Sequence, residues 1–107
     1  MVLWIMTMID SITTSLRAII NNTPIIGVNF YLFGSATISS KANDIDLLIE
    51  YDENIISIKE ALRLRVEIAQ YLDEEYKIPI DICLLSNNES FDTNFIYSEK
   101  GVLIVIE

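Results

Sequence analysis

Two predicted strands, Ile25–Phe33 and Asp44–Tyr51, stand only ten residues apart in this chain, and that short connection constrains the fold most. Both runs are rich in β-branched, aromatic and aliphatic residues, which is typical of buried strands. Ten residues are too few for the helical crossover that parallel strands need, so we expect the two strands to be antiparallel neighbours. The first run has apolar residues at nearly every position, which predicts a strand buried on both faces.

A long helix is predicted between the second strand and a third one. Ser57 and Glu60 have the spacing of a capping box, which starts a helix that runs to about Lys77. Such a helix is the crossover that parallel strands require, so the third strand is expected to run parallel to the second. The residues expected to face the core are Ile58, Leu62, Val66, Ala69, Leu72 and Tyr76.

The remaining elements complete a mixed sheet with helices against it. They are a helix over Thr7–Asn21, a helical turn or loop over Ala36–Ala42, a third strand over Ile78–Leu85, a turn at Ser86–Asn88, a short helix over Glu89–Tyr97 and a fourth strand over Gly101–Ile106. With 107 residues, the chain is expected to form a single small domain over residues 1–107. The predicted fold class is α+β.

Composition excludes several classes of function. The chain has no histidine, which excludes Ser-His and Cys-His catalysis and imidazole zinc sites. Its net charge of -9, with seven scattered Lys and Arg residues, argues against autonomous nucleic-acid binding and favours a basic partner or divalent cations. Cys83 lies in an apolar run and is expected to be a buried, unreactive thiol. The apolar stretch Met1–Met6 is too short to span a membrane, so a cytoplasmic location is expected.

Three carboxylates and a Gly-Ser pair are predicted to meet at one edge of the sheet. Asp44 and Asp46 differ by two positions, so both side chains should leave the same face of the second strand, roughly 7 Å apart. Gly34 and Ser35 follow the first strand, which ends where its antiparallel neighbour begins. The parallel third strand should bring its early residue Asp81 to the same edge.

Clustered carboxylates repel one another and have raised pKa values unless a cation neutralises them. Oxygen ligands suit Mg²⁺ or Mn²⁺, and Mg²⁺ is commonly bound by one or two carboxylates together with substrate phosphates. Glycine permits a close backbone approach, and serine with the following N–H groups can bind phosphate. Each feature alone has a plainer explanation, as solvated aspartates, a simple turn and an edge-strand residue facing water. Together they predict a metal site for a nucleoside triphosphate.

The order of these residues resembles a known family. Gly34-Ser35, then eight residues, then Asp44-Ile45-Asp46, with Asp81 on a later strand, resembles the DNA-polymerase-beta-type nucleotidyltransferase superfamily. The compact chain is similar to the minimal nucleotidyltransferases of bacteria and archaea, and the resemblance covers nearly its whole length. It implies the polymerase-beta-type nucleotidyltransferase fold for residues 1–107.

The resemblance also implies roles for individual residues. Asp44, Asp46 and Asp81 would bind two Mg²⁺ ions, and Asp81 would help to deprotonate the attacking hydroxyl. Gly34 and Ser35 would hold the triphosphate. The implied reaction is in-line attack on the α-phosphate of ATP or another nucleoside triphosphate, with release of pyrophosphate.

Minimal members of this family are often antitoxins paired with a HEPN-type ribonuclease toxin, and some silence it by transferring AMP to a tyrosine. The resemblance therefore implies a protein partner of this kind, and the charge of -9 suits a basic one. Many relatives have a longer gap and an arginine soon after the serine. Here Ala36 and Thr37 follow, and Lys41 is the only nearby cation and a candidate triphosphate ligand.

These departures support a second hypothesis, in which the chain is a binding module that neutralises a partner by occlusion. Transfer to a small molecule such as an aminoglycoside is disfavoured, because those enzymes generally have an additional substrate-binding domain. The sequence leaves open the nucleotide base, the acceptor and whether the chain forms a homo-oligomer.

Overall fold

The structure is a computed structural model that describes residues 7–22, 26–37 and 43–106. Its strands are β1 (Val28–Phe33), β2 (Ile45–Tyr51), β3 (Ile80–Ser86) and β4 (Val102–Ile104). They form one sheet in the order β3-β2-β1-β4. β1 is antiparallel to both β2 and β4, whereas β2 and β3 are parallel. The predicted α+β class, with a mixed sheet of these strand directions, is confirmed.

The helices are α1 (Met8–Asn22), α2 (Ile58–Tyr76), α3 (Asn87–Thr93) and α4 (Phe95–Ser98), and a 3-10 turn covers Gly34–Thr37. The predicted starts of the two long helices are confirmed by their caps. The Asp10 N–H donates to the Thr7 hydroxyl at 3.1 Å, and the Glu60 N–H donates to the Ser57 hydroxyl at 3.2 Å. None of the helices in the described part of the chain is both long and apolar enough to cross a membrane.

The main core lies between α1, α2 and one face of the sheet. Its fully buried members include Ile12, Leu16, Leu32, Ile45, Leu47, Ile49, Ile68 and Leu72. Polar contacts join the two helices at its margin. The Ser15 hydroxyl donates to the Glu75 carboxylate at 2.6 Å, and the hydroxyls of Ser11 and Tyr76 share a hydrogen bond. The sheet face under α1 and α2 is therefore buried and cannot hold a functional site.

The predicted core face of α2 is wrong for half of its residues. The buried residues of α2 are Ala61, Leu64, Ile68 and Leu72, so among the predicted residues Leu72 is buried, and Tyr76 packs against the core while partly exposed. Three predicted core residues, Ile58, Leu62 and Val66, are 53, 40 and 53% exposed. α2 has two apolar stripes about a third of a turn apart, and both have helical spacing. Periodicity alone does not say which stripe faces the sheet.

α3 and α4 cover only part of the opposite face of the sheet. Phe33 at the end of β1 packs edge-to-face on Phe95 of α4, with ring centroids 5.3 Å apart and planes at 74°. On the same face of β1, Tyr31 is half-buried and Asn29 is exposed. The expectation that this strand is buried on both faces is therefore wrong, since the C-terminal helices are too short to cover all of it.

The turn predicted at Ser86–Asn88 is also corrected by the structure. Ser86 is the N-cap of α3, and its hydroxyl accepts from the Glu89 N–H at 3.1 Å. The Glu89 carboxylate accepts from the Ser86 N–H at 3.0 Å, which completes a capping box. The helix therefore starts directly at the end of β3.

Candidate active site

Asp46 of β2 and Asp81 of β3 are register partners across two parallel strands. Residues in register on neighbouring strands point to the same face of a sheet, and neighbouring strands lie about 4.8 Å apart. The two carboxylates therefore leave the sheet side by side, on the face opposite α1 and α2. The predicted meeting of these two residues at one edge of the sheet is confirmed.

Gly34, directly after β1, lies beside Asp46 on the side away from Asp81. Phe33, the last residue of β1, is the register partner of Asp46, so the chain turns away beside that carboxylate. Gly34 has a φ of +73°, and a Cβ added to it would lie 3.1 Å from Asp46 Oδ2. The Thr37 hydroxyl donates to the Gly34 carbonyl at 2.7 Å and closes the 3-10 turn, which also contains Ser35. Glycine is needed here both for the backbone conformation and for the close approach.

Gly34, Asp46 and Asp81 line one cleft, with a volume of about 340 Å³. Its other lining residues are Phe33, Leu47, Cys83, Phe95 and Glu99. The lining contains three carboxylates and, among the described residues, neither lysine nor arginine. The cleft is therefore a concave, negatively charged site at the edge of the sheet.

Sequence reasoning missed Cys83 and Glu99 as cleft residues. Cys83 could have been found, because it lies two residues after Asp81 and so shares its face of β3. Glu99 follows α4, and its position depends on how Phe95 packs against Phe33. No local pattern indicates that contact.

Burial and neighbouring negative charges raise the pKa values of two groups in the cleft, Asp46 and Cys83. The pKa of Asp46 is raised, first by burial and then by the negative charges of Asp44 and Asp81. Asp44 is exposed and directly precedes β2, so it lies near the cleft without lining it. The pKa of the half-buried Cys83 thiol is also raised, chiefly by burial and by Asp81. Cys83 is therefore a neutral thiol near neutral pH and a poor nucleophile, as expected from the sequence.

The predicted three-carboxylate metal site stays a prediction. Within residues 7–22, 26–37 and 43–106, no three Asp, Glu, Cys or His side chains are grouped so that they could hold a metal ion. Asp46 and Asp81 are register partners, and Asp44 is an exposed residue directly before β2. Lys41, the predicted cation for the triphosphate, lies outside the described residues.

Comparison with known proteins identifies no family for this chain. No model of a known protein family matches the sequence. A search of curated proteins also finds no significant match. Function must therefore be inferred from the cleft and from the order of its residues along the chain.

Proposed function

We propose that this chain is a magnesium-dependent nucleotidyltransferase that transfers a nucleoside monophosphate, AMP from ATP, to a protein partner. The register pairing of Asp46 with Asp81 carries this proposal, because it sets two carboxylates side by side at the mouth of a cleft. Gly34 has a positive φ and lies against Asp46, so the backbone of this turn could come close to a triphosphate bound there. The resemblance to minimal nucleotidyltransferases rests on the same residues.

The donor chemistry fits a hard divalent cation. Asp44, Asp46 and Asp81 offer only carboxylate oxygens, which suit a hard divalent cation. Burial, followed by the charges of Asp44 and Asp81, raises the pKa of Asp46, and a divalent cation would relieve the repulsion between these carboxylates. Asp44, Asp46 and Asp81 would hold two Mg²⁺ ions, for which Mn²⁺ could substitute. When bound, these ions would stabilise negative charge on the attacking and leaving oxygens.

The chain's own residues would supply the remaining steps. The N–H groups of the turn at Gly34 and Ser35 would bind the triphosphate, and Lys41 would add positive charge. Asp81 would accept the proton of the acceptor hydroxyl. The hydroxyl oxygen would then bond to the α-phosphorus while the bond from that phosphorus to the bridging oxygen breaks. Pyrophosphate would leave, and Asp81 would pass its proton to solvent.

The acceptor in this proposal is a HEPN-type ribonuclease toxin, with the chain acting as its cytoplasmic antitoxin. The net charge of -9 supports a basic, RNA-binding partner, since opposite charges speed and orient association. The cleft is only partly enclosed, and its lining residue Asp81 is exposed. An open cleft suits a side chain presented by a macromolecule better than a small acceptor that needs enclosure.

The test is a labelling reaction with the protein encoded beside this chain. Wild-type chain, Mg²⁺ and ATP labelled at the α-phosphate should transfer label to that protein. Asp44→Asn should abolish transfer, and Asp92→Asn, at an exposed position of α3, is the matched control that should retain it. If the neighbour binds the wild-type chain but receives no label from any of the four nucleoside triphosphates, the proposed activity is wrong.

A second candidate is a binding module that neutralises its partner by occlusion. It is favoured by the absence of lysine and arginine among the described residues that line the cleft. The double variant Asp44→Asn/Asp46→Asn discriminates the two functions in cells that produce the partner. Continued protection by this variant would indicate occlusion, whereas loss of protection with retained binding would indicate transfer.

A further inference from the structure

A second cleft lies on the same face of the sheet as the candidate active site. Its volume is about 770 Å³, against about 340 Å³ for the cleft at Asp46. It is lined by residues of α3, of α4 and of the turn after α4, together with Glu50 of β2. Asp46 and Glu50 are four positions apart on β2, so both side chains leave the same face of the sheet, about 13 Å apart along the strand. We call this second site the α3–α4 cleft.

Two aromatic side chains that line the α3–α4 cleft are almost fully exposed. Phe91 of α3 is 85% exposed and Tyr97 of α4 is 81% exposed. Rings at this exposure contribute little to the stability of the fold. Exposed aromatic rings around a concave surface are typical of a binding site, where they provide faces on which a flat or cationic group can stack.

Two oxygen groups in the α3–α4 cleft have unused hydrogen-bonding capacity. The Glu50 carboxylate accepts from the Asn29 side-chain amide at 3.4 Å, and within the described part of the chain no lysine or arginine nitrogen lies within 4.0 Å of it. Ser90 is only 3% exposed yet lines the cleft, and no described residue forms a hydrogen bond with its hydroxyl. A ligand in the cleft could therefore donate hydrogen bonds to a carboxylate and to a buried hydroxyl.

Both walls of the α3–α4 cleft are held in place by contacts with the rest of the fold. The Gly101 N–H donates to the Ile96 carbonyl at 2.8 Å, and a Cβ added to Gly101 would lie 2.5 Å from the Phe33 ring. At the start of α3, the Asn88 side-chain amide donates to the Glu53 carboxylate at 3.1 Å. A preformed cleft of this kind binds a ligand at a lower cost in conformational entropy.

We propose that the α3–α4 cleft binds an arginine side chain presented by a basic protein partner. A guanidinium has five N–H donors and no acceptor, which suits Glu50 and Ser90 as acceptors. Its flat face stacks on aromatic rings, which suits Phe91 and Tyr97. The net charge of -9 also favours a cationic ligand. This inference rests on the proposed function for the basic protein partner, but it requires no transfer chemistry.

Lys100 discriminates between an arginine and a nucleotide as the ligand. It is the single cation among the described residues that line the cleft, and its charge would attract a phosphate but repel a guanidinium. A nucleotide would bring its phosphate into the same cleft as Glu50, in a chain of net charge -9, which opposes its binding. Lys100→Gln should therefore strengthen arginine binding, whereas it would weaken the binding of a nucleotide.

An NMR titration of the whole, isotope-labelled chain with the peptide acetyl-Gly-Arg-Gly-amide, without Mg²⁺ or ATP, tests the proposal. The signals of Ser90 and Gly101 should shift until the cleft is saturated. Glu50→Gln should raise the dissociation constant about fivefold, because a neutral amide accepts a weaker hydrogen bond than a carboxylate. Phe91→Ala should raise it about threefold through the loss of stacking. Glu74→Gln, at an exposed position of α2 on the other side of the sheet, removes the same charge and should leave the dissociation constant nearly unchanged.

The outcomes separate a specific arginine site from its alternatives. Equal effects of Glu50→Gln and Glu74→Gln would indicate only general attraction to an acidic chain and would overturn the proposal. Tighter binding of AMP than of the peptide at the same signals, or weaker peptide binding by Lys100→Gln, would also overturn it. Because the titration needs no transfer, peptide binding at the cleft without any labelling of the partner would contradict the proposed transfer activity alone.

Discussion

Asp46 and Asp81 occupy matching positions on two parallel neighbouring strands, so their carboxylates stand side by side on one face of the sheet. Two like charges at this spacing oppose folding, and Asp44 adds a third close to Asp46. Asparagine would fill the same space without the repulsion. An arrangement that lowers stability in this way is typical of a site kept for binding or chemistry.

Removing the charge of Asp46 should stabilise the protein at neutral pH. The pKa of Asp46 in the folded chain is raised above its ordinary value of 3.8, so folding favours the protonated carboxyl. That stabilisation is complete below the ordinary pKa and is lost as the pH rises through the folded-state pKa. Asp46→Asn should therefore melt a few degrees above wild type at pH 7, a modest gain because water and salt screen a partly exposed group.

Thermal melts from pH 3 to pH 8 measure this effect. The difference between Asp46→Asn and wild type should shrink as the pH falls and vanish near the ordinary Asp pKa. Asp92→Asn, outside the cleft, should show no such trend. A variant that is less stable than wild type at pH 7 would mean that the Asp46 carboxylate is stabilised rather than repelled.

Mg²⁺ should stabilise the wild-type chain if the carboxylates hold it. A ligand that binds only the folded state raises the melting temperature as its concentration rises above the dissociation constant. Asp81→Asn should lose most of this shift, because it removes one of two adjacent carboxylates, and Asp44→Asn should lose part of it. Differential scanning calorimetry with MgCl₂, and with NaCl at equal ionic strength, measures the effect. An equal shift in wild type and Asp81→Asn would place the ion elsewhere.

The strand directions and the meeting of Asp46 and Asp81 at one end of the sheet could be predicted because connection lengths determine strand direction. Ten residues between the first two predicted strands are too few for a crossover, so those strands are antiparallel. The long helix before Ile80 is the crossover that joins two parallel strands. Once the directions are known, Asp46 and Asp81 must lie at the same end of the sheet, because both are near the start of their parallel strands. These predictions use only local spacing and topology.

The rotation of α2 and the position of Glu99 could not be predicted, because both depend on packing between distant segments. α2 has two apolar stripes, and the sheet selects the one that contains Ala61 and Ile68. Glu99 lines the cleft together with Phe95, which packs on Phe33, a residue far away in the sequence. Local periodicity contains no information on either choice.

Alanine substitutions on the two stripes of α2 should differ strongly in their effect on stability. Ile68 is fully buried, so Ile68→Ala should lower the free energy of unfolding by about 2 to 5 kcal/mol. Leu62 is 40% exposed, and Leu62→Ala should cost less than about 1 kcal/mol. Urea unfolding of dilute protein measures both values. A larger loss for Leu62→Ala than for Ile68→Ala would indicate that the other stripe faces the core.

Gly34→Ala should impair both stability and the cleft. Gly34 has a φ of +73°, where a side chain costs about 1 to 2 kcal/mol, and its new Cβ would lie 3.1 Å from Asp46 Oδ2. Gly34→Asn separates the two effects, since asparagine tolerates the left-handed conformation but still crowds Asp46. The melting temperature should fall in the order Gly, Asn, Ala, and Mg²⁺ binding should be weakened in both variants. Full stability of Gly34→Ala would show that this turn does not need a positive φ. Mg²⁺ binding unchanged in both variants would show that Gly34 does not contribute to the proposed Mg²⁺ site.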